Sequence, residues 1–303
     1  MVETGVARRF TRLQADILLL VTAVVWGGGM VVQRLAANNL GVFLFNGLRF
    51  LLGGLALLAL GRFQLRLTRR EWLRVSLLGL MLFGASAFQQ AGLKTTTAGN
   101  AGFLTGLYVV LVPLGMLIFL RQRSTWLTWA AALLAAAGTF LLSGSGGNFQ
   151  LFKGDGLEMI GAFLWAAHVL LVARFAPKMD ARSLAIGQFL TCSLFNLALG
   201  SLLEWQTWPG ALTSIGALLY SGLISVGLGF TLQVVGQQYA PATDASLILS
   251  MEAVFAALLG ALFLGESFKG VQMVGCGLIL AAMLLAQLKP GQPAPSPADS
   301  LQG

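Results

Sequence analysis

Charge is what this chain has least of. Asp, Glu, Lys and Arg make up 10% of its 303 residues, while 57% are apolar. A soluble domain carries about 25% charged residues, so the chain cannot clothe a water-facing surface. That excludes a soluble enzyme and a disordered chain. Two cysteines, Cys192 and Cys276, both lie in apolar stretches, which excludes a disulfide scaffold. His168 is the only histidine, with no HExxH pattern or cysteine cluster beside it, so no metal and no cofactor are expected. Gly27-Gly28-Gly29 lacks the following Gly-Lys-Ser/Thr of a phosphate-binding loop. Alternating strand patterns are missing, which argues against a β-barrel.

What remains is apolar runs. A helix needs about 20 mainly apolar residues to cross a bilayer, and stretches of that length recur at 14–36, 42–61, 72–93, 97–120, 124–143, 155–174, 183–203, 211–235, 242–264 and 269–288. The reading is an all-α integral membrane protein with ten transmembrane helices. The net charge of +8 then becomes a topology signal. Fourteen of the nineteen basic residues fall in the segments on the N-terminal side; Arg34, Lys94, Lys153 and Lys269 fall on the other, and Arg49 lies inside a span. The positive-inside rule puts both termini in the cytoplasm, and nucleic acid is not the expected partner. The first span, followed directly by Arg34, reads as a retained anchor. The Pro-rich tail at 289–303 is expected to be disordered.

Self-comparison divides the chain. Asp16 and Trp26 match Asp155 and Trp165 at an offset of 139, and Arg49-Phe50-Leu51 falls on Gln188-Phe189-Leu190. After a five-residue slip the offset is 144, pairing Gln89 with Gln233, Ala98 with Ala242, Ala101 with Ala245, Tyr108 with Glu252 and Phe119-Leu120 with Phe263-Leu264. Two five-helix repeats follow, 1–143 and 155–288, joined by a periplasmic connector at 144–154. Five is odd, so the repeats have inverted topology, an architecture typical of secondary transporters with a site near mid-membrane.

The segments Trp26-Gly27-Gly28, Arg49, Thr97-Ala98-Gly99-Asn100-Ala101, Leu107 to Pro113, and Met251-Glu252 to Gly265-Glu266 resemble the ten-span EamA family of the drug/metabolite transporter superfamily. The resemblance extends over essentially the whole chain to Leu288. It implies inverted five-helix bundles and transport of small metabolites, commonly export of amino acids or related compounds. Ala253 stands where that family often has Pro after the residue matching Glu252, which weakens the case for a helix break there.

Ionisable and polar groups at bilayer depth are costly and normally face a cavity or a partner. The candidate cavity residues are Trp26, Arg49, Gln89, Asn100, Tyr108, Trp165, His168, Gln188, Gln233 and Glu252. Glu252 and His168 are also the candidates for proton coupling. Arg49 either meets a substrate carboxylate or neutralises Glu252; Asp16 and Asp155 read as helix caps or interfacial anchors. Pro113 should kink the fourth span. The GxxxG of Gly102 and Gly106, and Ser221, Ser225 and Gly229, read as packing faces.

The function expected is a secondary transporter of the cytoplasmic (inner) membrane, a multi-pass exporter working by alternating access. Proton coupling, uncoupled facilitation and drug efflux on the same fold all stay open. A scaffold or receptor leaves the repeat unexplained, and an intramembrane enzyme lacks a second acid matched to Asp155. The expected partners are a small metabolite, protons and the lipid bilayer, with the chain a monomer or weak dimer.

Overall fold

The computed structural model describes residues 10–37, 39–62, 64–96, 98–143, 152–264 and 270–287. All regular structure among them is helical. The first repeat comprises α1 (Arg12–Ala36), α2 (Val42–Leu60), α3 (Arg69–Gly92), α4 (Ala98–Gly106), α5 (Tyr108–Phe119) and α6 (Trp126–Leu142). The second comprises α7 (Asp155–Phe175), α8 (Ala181–Leu203), α9 (Gly210–Thr213), α10 (Ile215–Leu219), a π-helical run Tyr220–Phe230, α11 (Thr231–Gln237), α12 (Ala242–Leu249), α13 (Glu252–Leu264) and α14 (Gly270–Gln287). Eight described segments are long and apolar enough to cross a membrane, with α4–α5 and α12–α13 each forming one; Trp126–Leu142 and Gly270–Ala286 are shorter apolar helices. At 17 residues α6 is about 25 Å long, near the lower limit for a crossing.

Local sequence explains where several helices begin. Thr11 and Thr68 form capping boxes with Gln14 and Glu71, while Thr125 and Asp180 cap α6 and α8. These four starts open the first, third, fifth and seventh crossings, so they lie on one side of the membrane. On the other side α2 has only Gly41 at its cap position, and the Glu204 carboxylate at the end of α8 accepts from the Phe43 and Leu44 N–H groups.

Packing follows the repeat. α2 pairs with α8, and α6 pairs with α14; each of these pairs joins equivalent helices of the two halves. α3 lies on α7 and α8, and its counterpart, the π-helical crossing, lies on α1 and α2. α6 and α14 touch backbone to backbone, since a methyl on Gly138 would fall 2.7 Å from the Gly275 carbonyl oxygen. Phe50, Leu82, Phe189, Val226 and Phe230 form a buried core between the halves. Leu13, Phe119, Leu133, Leu212 and Leu262 face outward, as a lipid-facing surface requires. Trp126 and Trp205 are exposed near helix ends, matching an aromatic belt.

Four expectations change. The fourth crossing is interrupted at Leu107, between α4 and α5, six residues before Pro113, which lies inside α5. The ninth is interrupted at Ser250–Met251 without any proline, its turn tightened by Met251 N–H to Ile248 and Ala253 N–H to Ser250 bonds. The eighth is not one regular helix. Gly102 meets nothing within 4 Å where a side chain would be, so half of the GxxxG is not a packing contact. The connector from 144 to 151, the Gly265-Glu266 pair, Thr97 and the tail lie outside the described residues.

Candidate functional site

The two interruptions fall at matching places. α4 and α12 start 144 residues apart, and Tyr108 and Glu252 each open the second half of the broken crossing. Both side chains line a central cavity of about 40 Å³ and also a wider one of about 590 Å³. They therefore stand, with Met30, at the neck between a tight site and a broad vestibule. Arg34, Leu93, Ser143 and Gln272, at one end of the bundle, line the vestibule.

The tight cavity brings together Trp26, Arg49, Gln89, Tyr108, Trp165, Gln233 and Glu252 from the candidate set, and adds Met30, Gln33, Thr105, Ser225 and Phe230. Trp26 is fixed by donating its indole N–H to the Ser225 carbonyl at 3.1 Å. Ser225 lies in the π-helical run, whose carbonyls take side-chain donors: Thr22 bonds to Gly229 O in the same way. Phe230 closes the aromatic wall, 4.5 Å from Trp26 and stacked at 5.9 Å and 20° on Trp165. Gly27 lets α1 approach α13 here, because a Cβ would fall 2.7 Å from Ala256 N and 2.9 Å from Glu252 O.

Arg49 is 3% exposed. Its guanidinium carbon sits 5.5 Å from the Phe45 ring centre and 5.1 Å from that of Phe50, a favourable cation–π setting. It makes no ion pair with Glu252; the described ion pairs are Arg12–Asp16 and Arg12–Asp244. The neutralising role considered for Arg49 is thus not realised, because the phenyl rings hold the guanidinium while the cavity lies between the two charges. Arg49 Nε, Tyr108 Oη, Trp165 Nε1 and both amide atoms of Gln233 are buried with no hydrogen-bond partner among the described residues. Such groups are rare in folded proteins and call for a partner.

His168 and Gln188 lie elsewhere. His168 Nε2 and Gln188 Oε1 bond each other at 2.9 Å, both fully buried, and His168 stands edge-on to Trp165 and Phe230. Neither lines the cavities. The Asn100 side chain lies outside the described residues. Asp155 is the first residue of α7, with Gly154 at the cap position and no side-chain cap; its carboxylate accepts from the Phe152 N–H and the Thr96 hydroxyl. Asp16 instead binds Arg12, which also reaches Asp244 of α12 at 2.5 Å.

Sequence reasoning passed over Phe230, Met30, Glu158 and Asp244. Phe230 and Met30 carry no repeat partner or unusual chemistry to mark them. Glu158 was visible as an acid three residues into an apolar helix, and Asp244 as one at the start of another.

Comparison with known proteins agrees with this architecture. The EamA-like transporter family matches residues 13–144 and 152–288. An uncharacterized transporter of Archaeoglobus fulgidus is 30% identical over 291 residues, 95% of this chain and 90% of its own length. The threonine/homoserine exporter RhtA of Escherichia coli K12 is 25% identical over 272 residues, 88% of this chain and 89% of its own. The uncharacterized transporter YwfM of Bacillus subtilis is 26% identical, with 91% and 94% covered. A solved crystal structure shares the fold, with a TM-score of 0.78 over 92% of this chain and 98% of that one at 24% identity. Two matched repeats spanning nearly the whole chain place it among multi-pass membrane transporters rather than enzymes: the chain belongs to the EamA-like transporter family.

Proposed function

We propose that the chain exports small zwitterionic metabolites, amino acids such as threonine or their relatives, from the cytoplasm by alternating access. The observation that carries this reading is one cavity lined by two opposite charges, Arg49 and Glu252, together with unpartnered polar atoms of Tyr108, Trp165 and Gln233. A substrate carboxylate satisfies Arg49, an ammonium group satisfies Glu252, and the amide and hydroxyl groups take a polar side chain. Trp26, Trp165 and Phe230 supply the apolar wall. The relationship to an exporter named for threonine and homoserine supports the substrate class.

Alternating access is supported by the asymmetry of the bundle. The vestibule reaches the end marked by Arg34 and Ser143, while Arg12 of α1 is ion-paired across to Asp244 of α12 at the end where the chain starts. With the N-terminus in the cytoplasm, as the basic residues indicate, this is an outward-open form closed on the inner side. Opposite halves of the two repeats would exchange these roles in the inward form.

Counterflow of labelled L-threonine into proteoliposomes tests the reading. Wild-type protein in liposomes preloaded with unlabelled threonine should concentrate the label without any imposed ion gradient. Arg49→Ala should lower uptake about tenfold or more, as expected for losing a charged hydrogen bond of ~1.5–3 kcal/mol. Transport of a lipophilic cation but not of threonine, with Arg49→Ala fully active, would overturn it in favour of drug efflux.

A further inference from the structure

Glu158 is the acidic side chain that the substrate reading leaves unused. It lies in the first turn of α7, is fully buried, and faces α3 and α4. Its Oε2 accepts from the Thr105 hydroxyl at 2.9 Å. The Thr105 oxygen in turn accepts from Gln89 Nε2 at 3.5 Å, which leaves the hydroxyl proton directed at Glu158. The other carboxyl oxygen, Oε1, has no hydrogen-bond partner among the described residues. The carboxyl head packs directly against Gly92: a Cβ there would fall 2.5 Å from Oε1, so a larger residue would displace the carboxyl from this position.

No cation compensates this carboxyl among the described residues, whose ion pairs both belong to Arg12. Asp155, one turn earlier on α7, is the neighbouring ionisable group, and it is engaged by Thr96 and the Phe152 N–H. From α3 the neighbours are Gln89 and Gly92, and from α4 Thr105, none of them ionisable. An unpaired buried carboxylate is costly, whereas a carboxylic acid at the same place is tolerated. Both Thr105 and Gln89 line the central cavity, so one hydroxyl separates Glu158 from the substrate site.

We propose that Glu158 is a proton-binding site coupled to the central cavity through the Thr105 hydroxyl, loaded and unloaded during the transport cycle. The inference rests on the transport reading above. A proton from cavity water joins a lone pair of Thr105 Oγ1 as the hydroxyl's own proton passes to Glu158 Oε2; release reverses both transfers, and no electrons change hands. Gln89 acts as a positioning residue by fixing the hydroxyl's direction. Because Glu252 faces the cavity directly, the division leaves one acid for the substrate and another for the proton.

Infrared difference spectroscopy of the full-length protein in liposomes, titrated with pH and without substrate, reads the site directly. A protonated-carboxyl stretch should titrate in the wild type and be missing from Glu158→Gln. In Thr105→Val, which keeps the carboxyl, the same band should shift because its hydrogen bond is gone. An unaltered spectrum in either variant overturns the proposal. In proteoliposomes, the ratio of threonine uptake with and without an imposed pH gradient should fall to one in Glu158→Gln; a ratio kept at the wild-type value also overturns it. Wild-type protein that shows the band but no threonine counterflow would instead sink the substrate reading and leave the proton site standing.

Discussion

Arg49 sits at bilayer depth with no carboxylate partner among the described residues and two phenyl rings against its guanidinium. Delocalised charge and a planar fork make arginine, not lysine, the residue that tolerates such a setting and grips a carboxylate. Arg49→Lys should therefore recover little of the threonine counterflow lost in Arg49→Ala; full recovery would mean that charge alone matters. Across the cavity, Glu252→Gln keeps the shape and removes the charge. It should raise the half-saturating threonine concentration about tenfold, in line with a lost charged hydrogen bond, while N-acetylthreonine, which lacks the ammonium, discriminates less between the two proteins. At this scale the sequence was informative. Arg49, Glu252, Trp26, Trp165, Tyr108, Gln89 and Gln233 all come to one cavity, because polar and repeat-matched residues in an apolar helix have few reasons to exist. His168 was equally conspicuous, yet its bond to Gln188 places it behind the wall, and nothing in its neighbours along the chain distinguishes those outcomes.

The helices show what periodicity leaves undecided. Both half-broken crossings turn at positions related by the repeat, Leu107 and Ser250–Met251, although only the first is followed by a proline. The break depends on shared tertiary surroundings, not on a residue that forbids helix. The π-helical run likewise follows from contacts: its Ser225 and Gly229 carbonyls bind Trp26 and Thr22 of α1, a pairing across about 200 residues that no local window contains. The α6–α14 pair is a close backbone fit. Gly138→Leu should lower the unfolding temperature in detergent, since overpacking of this kind costs ~1–3 kcal/mol. The same change at Gly102, which meets nothing within 4 Å, should leave that temperature nearly unchanged, and equal losses at both sites would contradict the packing described.

For the whole molecule, inversion converts one five-helix plan into two opposed halves, and the resulting bundle is open at one end and tied at the other. Arg12, about a third exposed, joins Asp16 and Asp244. A partly solvated pair of this kind contributes on the order of 1 kcal/mol or less, weak enough to open reversibly. In a cysteine-free background carrying Ala245→Cys, a fully buried position next to Asp244 in the chain, Asp244→Asn should speed labelling by a membrane-impermeant maleimide applied from the side where α1 starts. Unchanged labelling would show that the ion pair does not close this end of the bundle.

Membrane residence, the helical class and the repeat were determined by sequence alone, because each rests on properties that accumulate along the chain: too few charges to face water, apolar runs of crossing length, and identities at a constant offset. How the candidate residues come together was decided only by the tertiary structure. Whether Glu252 pairs with Arg49 or faces it across a space, and whether Glu158 finds a cation or only a hydroxyl, depends on which faces of five different helices meet. That is decided by packing between the repeats, where glycines such as Gly27 and Gly92 set the approach, and local sequence carries no record of the partner on the other side.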